Sequence, residues 1–264
     1  MSEATDPTLP SKQSAILPKL FNRTLRIALV AEGPGDLEVI QAALKAILPN
    51  PFVLTLLQPE ATQPRLGTGW GGVAKWCHET QKRHQGSLDF DPTLACFDLL
   101  IIHVDVDVGG FEYQDYDPKD EPYFSKMAQD NAWKCLPCQQ PCPPVSATVT
   151  SLLEVIRSWL GQAIPGNQTC FCLPAQSSGT WLATAVLPPS HPCLQGGECD
   201  PNVEKRLAQL PKQQRIKKSV RNYRVHAPKV TENWQNLKQC CSQAQAFETE
   251  ILTILQTDPH LESS

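Results

Sequence analysis

Carboxylates stand at the ends of two apolar runs that lie far apart in the chain. Glu32 ends the first run, and the turn Gly-Pro-Gly separates it from Asp36. Asp105 and Asp107 end the second run. Carboxylates gathered at one place repel one another unless a divalent cation lies between them. These residue types therefore predict a divalent-cation site, provided that the fold brings the two runs side by side.

The pattern around the carboxylates predicts the elements that position them. Runs that are apolar on both faces are typical of parallel strands, and helical spacing separates them. We predict strands over 25–31, 52–57, 97–104 and 169–173, and helices over 36–48, 73–85, 155–160, 181–187 and 230–255. This alternation predicts an α/β layered fold with a mainly parallel sheet. Such sheets carry their sites at the carboxyl ends of the strands, where Glu32 and Asp105 fall.

Local geometry adds expectations for the individual residues. Glycines at 33 and 35 permit backbone angles closed to other residues, so a sharp turn is expected, with Asp36 capping the next helix. A plain strand–helix turn would show the same residues. Side chains two apart on an extended segment point the same way, so Asp105 and Asp107 are expected to hold one cation. His103 lies inside the same apolar run and is interpreted as a core residue.

Composition divides the 264 residues into regions. Residues 1–23 are polar and proline-punctuated, typical of a mobile lead. Residues 24–190 form the predicted α/β domain, with an irregular insertion over 109–148 that is rich in proline, cysteine and acid. Residues 191–258 read as a basic helical extension packed on the same domain. With no membrane-length apolar run and no secretion signal, the sequence predicts a cytoplasmic protein without a membrane partner.

Eleven cysteines are many for such a protein. The spacing Cys135-x₂-Cys138 fits one edge of a tetrahedral zinc site, and Cys142 could add a third sulfur. Cys193 or Cys199 could close the site from the other proline-rich loop, and Cys199 is the one we assign. The alternative is that these residues are free thiols with an occasional disulfide.

Charge is uneven along the chain. Residues 30–121 hold fifteen acidic and six basic residues, whereas residues 205–229 hold nine basic and no acidic residues. A basic segment can follow a phosphate backbone, so nucleic acid is a candidate partner, and Tyr223 could stack on a base. A solvated helix face explains the same charges. The predicted nucleic-acid-binding residues are Lys75, Arg215, Lys217, Lys218, Arg221 and Arg224.

The order of these motifs resembles a known domain. A strand ending in Glu32-Gly33, Asp36 at a helix start, and a later strand ending in Asp105-x-Asp107 are similar to the Toprim domain of topoisomerases, primases and overcoming-lysogenization-type nucleases. Residues 25–255 look more closely like a group of small uncharacterised bacterial Toprim-like proteins. Shared features are a Gly71-Gly72 loop before a helix, a tryptophan segment after the fourth strand, and a basic stretch before the last helix.

The resemblance implies roles for the acids. Glu32 would be the catalytic or metal-polarising acid, and Asp105 and Asp107 would be Mg²⁺ ligands, with Mn²⁺ as the alternative ion. In the tryptophan segment the resembled proteins have Glu-x-Trp-Leu-x-Ala, and this chain has Gly179 in place of the glutamate. Asp36 is then a candidate catalytic residue. Glu112 and Glu198 are further candidates for the missing acid.

The function that the resemblance implies is processing of nucleic acids or other phosphoesters with Mg²⁺, of the Toprim nuclease type, with defence as a candidate role. Such a protein would be a metal-dependent nuclease or phosphodiesterase. The alternative is a non-catalytic nucleic-acid-binding or sensor module on a degenerate Toprim scaffold. Gly179 favours this alternative, because an active site that lacks one acid can keep its fold and lose its turnover.

Overall fold

A computed structural model describes residues 23–60, 65–117 and 122–257. All but the last residue of the predicted mobile lead, and residue 258 of the extension, lie outside this range. The strands are β1 (Leu25–Val30), β2 (Phe52–Gln58), β3 (Gly86–Ser87), β4 (Leu99–His103), β5 (Ala163–Ile164) and β6 (Thr169–Cys172). The helices are α1 (Pro34–Ile47), α2 (Gly69–Arg83), α3 (Tyr123–Asp130), α4 (Val145–Leu160), α5 (Ser178–Val186), α6 (Val203–Gln209), α7 (Val220–His226), α8 (Pro228–Glu232), α9 (Trp234–Cys240) and α10 (Ser242–Thr257).

The central sheet has four strands in the order β2-β1-β4-β6, and all neighbours are parallel. β1 and β4 lie in the middle and are almost wholly buried, because their side chains are apolar on both faces. The predicted α/β fold with a mainly parallel sheet is confirmed. In a parallel sheet every carboxyl end lies at the same edge, so the residues after β1 and after β4 meet there.

Helices cover both faces of the sheet. On one face the side chains of Ile27 and Ile101 pack with α1, α5 and the helices α6–α10. On the other face those of Ala28 and Ile102 pack with α2, α3 and α4. The described part of the C-terminal extension thus shares a core with the sheet, through Val203, Tyr223, Trp234, Phe247 and Ile251.

Two helix predictions need correction. The segment predicted as one helix over 230–255 is three helices, broken at Asn233 and at Cys241, which has an extended backbone. The breaks let one apolar stripe follow a curved surface, since α8 packs on α1, α9 on α5, and α10 on β6. Residues 155–160 belong to a helix, as predicted, but that helix begins at Val145, inside the region predicted to be irregular. The described part of the chain contains no helix long and apolar enough to cross a membrane.

Candidate metal centre

The two predicted acidic strand ends meet at the carboxyl edge of the sheet. Glu32 follows β1 directly, and its Oε1 accepts a hydrogen bond from the backbone N–H of Asp105 at 2.8 Å. The carbonyl of Glu32 accepts a hydrogen bond from Gly69 N–H at 2.7 Å, which ties the start of α2 to the same edge. The structure therefore brings Glu32 and Asp105 into direct contact, although 73 residues separate them in the chain.

Asp36, His103 and Asp105 form the centre of the site. Each offers one ligand atom, and these three atoms lie within 4.8 Å of one another, with all three residues buried. Ser178, the first residue of α5, holds both aspartates: its hydroxyl donates to Asp36 Oδ1 at 2.6 Å and its N–H donates to Asp105 Oδ1 at 2.9 Å. No other group of three or more His, Cys, Asp or Glu residues in the described ranges meets this distance.

His103 belongs to this site, although the sequence pattern indicated a core residue. Its Nε2 lies 3.1 Å from Asp105 Oδ1. This contact is an ion pair when the ring is protonated, whereas Nδ1 has no hydrogen-bond partner among the described residues although the side chain is fully buried. Buried polar atoms are nearly always satisfied, so the unpartnered Nδ1 points to a ligand at this site. The available signal was its spacing of two residues from Asp105, which places both on one face of the strand.

Burial and mutual repulsion raise the pKa values of acids of the site. Burial, followed by the charges of Asp105 and Asp36, raises the pKa of Glu32 well above its usual value. Burial and the charge of Asp105 raise the pKa of Asp107 to about 7. Burial alone would lower the pKa of His103, but the charges of Asp36 and Asp105 raise it above its ordinary value. The site therefore carries excess negative charge, which a bound cation would relieve.

Asp107 does not occupy the position that its spacing predicts. The chain leaves the extended conformation after Asp105, and residues 106–110 form a 3₁₀ helix. The backbone N–H of Asp107 donates to the carbonyl of Gln176 at 3.2 Å. Its carboxylate is not among the three close ligand atoms of the centre. The expectation that Asp105 and Asp107 share one cation is therefore corrected, because residues two apart share a face only along a strand.

The turn before α1 also differs from the prediction. Gly33 is the N-cap of α1, and its φ of −158° is open to any residue. Asp36 lies in the first turn of the helix, where its charge suits the helix dipole, and its side chain makes no cap. Gly35 lies against the ring of Tyr223, where a Cβ would make an ordinary contact at 3.4 Å.

Glu204 supplies an acid that the sequence analysis did not find. A Cβ on Gly179 would lie 2.2 Å from Glu204 Oε1, so the carboxylate of Glu204 fills the space beside this glycine. The candidates Glu112 and Glu198 are engaged elsewhere, since Glu112 caps a 3₁₀ helix and Glu198 accepts from the N–H of Ser242. Glu204 comes from α6, and nothing in its local sequence indicates that it reaches the site.

The predicted nucleic-acid-binding residues divide into two groups. Three are already occupied: Lys218 pairs with Glu204, Arg224 pairs with Glu38, and the Lys75 ammonium lies over aromatic rings of residues 116, 123 and 124. The other three, Arg215, Lys217 and Arg221, are exposed, and Arg215 donates to the carbonyl of Leu210. Tyr223, suggested as a base-stacking residue, is 2% exposed and donates its hydroxyl to Glu204.

The predicted zinc site is replaced by a disulfide. Cys142 and Cys199 are bonded to each other, with their Cα atoms 5.7 Å apart, so two of the four assigned sulfurs are no longer thiolates. Cys135 and Cys138 are free, and Cys193 is buried. The disulfide connects the insertion to the loop before α6.

A cavity of about 390 Å³ opens at the centre, between the turn after β1, the start of α2 and the loop before α7. Glu32, Asp36, Asp105, Lys218 and Tyr223 are among its lining residues. The donor set of two carboxylates and one imidazole fits a divalent transition ion that accepts both oxygen and nitrogen. Ligand atoms at right angles around an ion at about 2.1 Å lie about 3 Å apart. The 3.1 Å between His103 Nε2 and Asp105 Oδ1 fits this separation, and it equally fits a direct ion pair between the two side chains.

Comparison of the chain with protein-family models, with curated proteins and with solved structures finds no match in any of the three.

Proposed function

We propose that the protein is a divalent-cation-dependent enzyme acting on phosphoesters, with nucleic acid as its substrate class, on a Toprim-like scaffold. The observation that carries the proposal is the buried Asp36–His103–Asp105 cluster, whose imidazole Nδ1 has no partner among the described residues, beside a cavity at the carboxyl edge of a parallel sheet. Two carboxylates and an imidazole buried together are costly to keep unless they bind something.

The donor set favours Mn²⁺ over Mg²⁺ as the resident ion. Mg²⁺ takes oxygen ligands almost exclusively, whereas a transition ion such as Mn²⁺ accepts an imidazole nitrogen beside carboxylate oxygens. Asp36, His103 and Asp105 would hold the ion. Once bound, such an ion would polarise a phosphoryl oxygen and lower the pKa of a coordinated water. A structural zinc is not part of the proposal, since Cys142 and Cys199 are joined.

The surrounding residues have distinct parts. Burial and the neighbouring acids raise the pKa of Glu32, so it keeps a proton more readily than an ordinary glutamate, and we assign it the exchange of a proton with an oxygen of the substrate. The N–H of Asp105 fixes the Glu32 carboxyl, and Ser178 fixes both aspartates from one position at the start of α5. These bonds hold the acids in place before any ligand enters, which is what a preorganised site requires.

A cleavage assay tests the proposal. Single- and double-stranded DNA and RNA are incubated with the protein in Mn²⁺, in Mg²⁺ or in chelator. We expect cleavage only with a divalent ion, with a loss of about 100-fold or more in Glu32→Gln, which removes the proton-exchanging group. Glu79→Gln, an exposed acid on α2, is the matched control and should leave the rate unchanged. Full activity in chelator, or in Asp105→Asn, would refute the assignment.

A binding module without turnover remains the second candidate, because Arg215, Lys217 and Arg221 are exposed on the extension. The same assay separates the two. Binding of nucleic acid without cleavage, with an affinity that falls steeply as salt rises, would favour the module.

A further inference from the structure

An ammonium group stands against the acidic centre. Lys218 lies in the loop between α6 and α7, and its Nζ is 3.0 Å from Glu204 Oε2 and 4.0 Å from Asp105 Oδ2. The other oxygen of the Asp105 carboxylate, Oδ1, faces His103 and the N–H of Ser178. One carboxylate therefore has the buried cluster on one side and a lysine on the other.

Glu204 fixes the position of this lysine. Its two carboxylate oxygens have different partners. Oε1 accepts a hydrogen bond from the hydroxyl of Tyr223 at 2.7 Å, and Oε2 forms an ion pair with Lys218. Tyr223 is buried, so its hydroxyl keeps the carboxylate of Glu204 in one position. The carboxylate of Glu204 has room here because Gly179 has no side chain. A Cβ at Gly179 would lie 2.2 Å from Glu204 Oε1.

We propose that Lys218 is a built-in cation of the site, positioned by Glu204, and that a divalent cation binds in competition with it. The inference rests on the proposed function, since it takes the Asp36–His103–Asp105 cluster as the cation site. A bound divalent ion and the ammonium would share the Asp105 carboxylate and repel each other. Glu204 gives the displaced ammonium a second acid to remain beside, so the lysine acts as a counter-charge to the acids until the divalent ion binds.

The test compares two neighbouring lysines. Mn²⁺ affinity is measured by titration calorimetry at about 0.15 M salt, where exposed charges more than about 8 Å apart are largely screened. We expect Lys218→Met to bind Mn²⁺ at least about fivefold more tightly. The ammonium lies 4.0 Å from an oxygen of the Asp105 carboxylate that the ion would share, and charges that close interact appreciably even in water. Lys217→Met makes the same change in net charge at an exposed position and should leave the affinity unchanged. The Lys218 side chain is 59% exposed, so its variant keeps the fold.

A double-mutant cycle tests the positioning role of Glu204. Glu204→Gln should weaken Mn²⁺ binding, because it removes a negative charge and also leaves Lys218 with Asp105 as its acidic partner. In the Lys218→Met background there is no ammonium to turn toward Asp105. The loss of Mn²⁺ affinity caused by Glu204→Gln should therefore be at least about twofold smaller there. Equal losses in both backgrounds would overturn the positioning role.

The outcomes separate the two proposals. If Lys218→Met and Lys217→Met bind Mn²⁺ with the same measurable affinity as the wild type, the built-in cation is refuted and the metal site stands. If neither the wild type nor Lys218→Met binds Mn²⁺, both proposals fall. Binding by Lys218→Met with none by the wild type would be strong competition and would support the inference.

Discussion

The imidazole of His103 lies fully buried, with its Nε2 3.1 Å from Asp105 Oδ1 and its Nδ1 without a hydrogen-bond partner among the described residues. A single histidine in an apolar run is most often a core residue, and no histidine spacing in the chain indicates a metal site. The carboxylates could be found from the sequence, because an acid directly after an apolar strand is a local pattern. Asp36 and Asp105 could thus be predicted as site residues, whereas His103 needed the structure.

The identity of the ion can be tested at His103. We expect the wild type to bind Mn²⁺ more tightly than Mg²⁺, because imidazole is a ligand that Mg²⁺ rarely accepts. His103→Gln should weaken Mn²⁺ binding by roughly tenfold or more and reduce the difference between the ions. Calorimetric titration with each ion measures both quantities.

His191→Gln, in the loop before α6, is the matched control and should preserve the preference for Mn²⁺. An unchanged ratio of Mn²⁺ to Mg²⁺ affinity in His103→Gln would show that the imidazole is not a ligand.

At the scale of the elements, the strands could be predicted well and the helices less so. The buried strands β1 and β4 are continuous apolar runs, a pattern that few other elements share. The start of α4 was missed because residues 145–151 are rich in serine, threonine and valine, which have weak helix propensity. The breaks between α8, α9 and α10 leave the apolar periodicity intact, so the sequence pattern shows one helix where the chain makes three.

The site shows the same division between local and distant information. The meeting of Glu32 with Asp105 follows from parallel strands, whose carboxyl ends share an edge. Ser178 and Glu204 reach the centre from α5 and α6, and only tertiary packing places them there. The failure at Asp107 has a local cause, because the switch from strand to 3₁₀ helix after Asp105 changes the side-chain period.

Across the whole molecule, helices on both faces enclose the sheet, and the disulfide fastens two long loops to each other. Cys142 and Cys199 are 57 residues apart, so their bond restricts a large loop of the unfolded chain. Gln176 Nε2 donates to the carbonyl of Cys199 at 3.3 Å, and the Gln176 carbonyl accepts from Asp107 N–H. The fastened loop is thus connected to the segment that carries the acids.

Reduction of this bond should lower the free energy of unfolding by about 2–4 kcal/mol, as is typical for disulfides that close long loops. Urea unfolding with and without a thiol reductant measures the difference. The Cys142→Ser/Cys199→Ser variant should match the reduced wild type and be insensitive to reductant. Stoichiometric zinc in the reduced wild type, with no loss of stability, would contradict the disulfide and restore the zinc hypothesis.

We infer that Asp36, His103 and Asp105 together hold a divalent cation. Anomalous diffraction from crystals soaked in Mn²⁺ locates such an ion without reference to activity. We expect one strong peak bonded to a carboxylate oxygen of each aspartate and to a ring nitrogen of His103. A peak bound by Asp107 and other acids away from His103, or no peak at the carboxyl edge of the sheet, would contradict it.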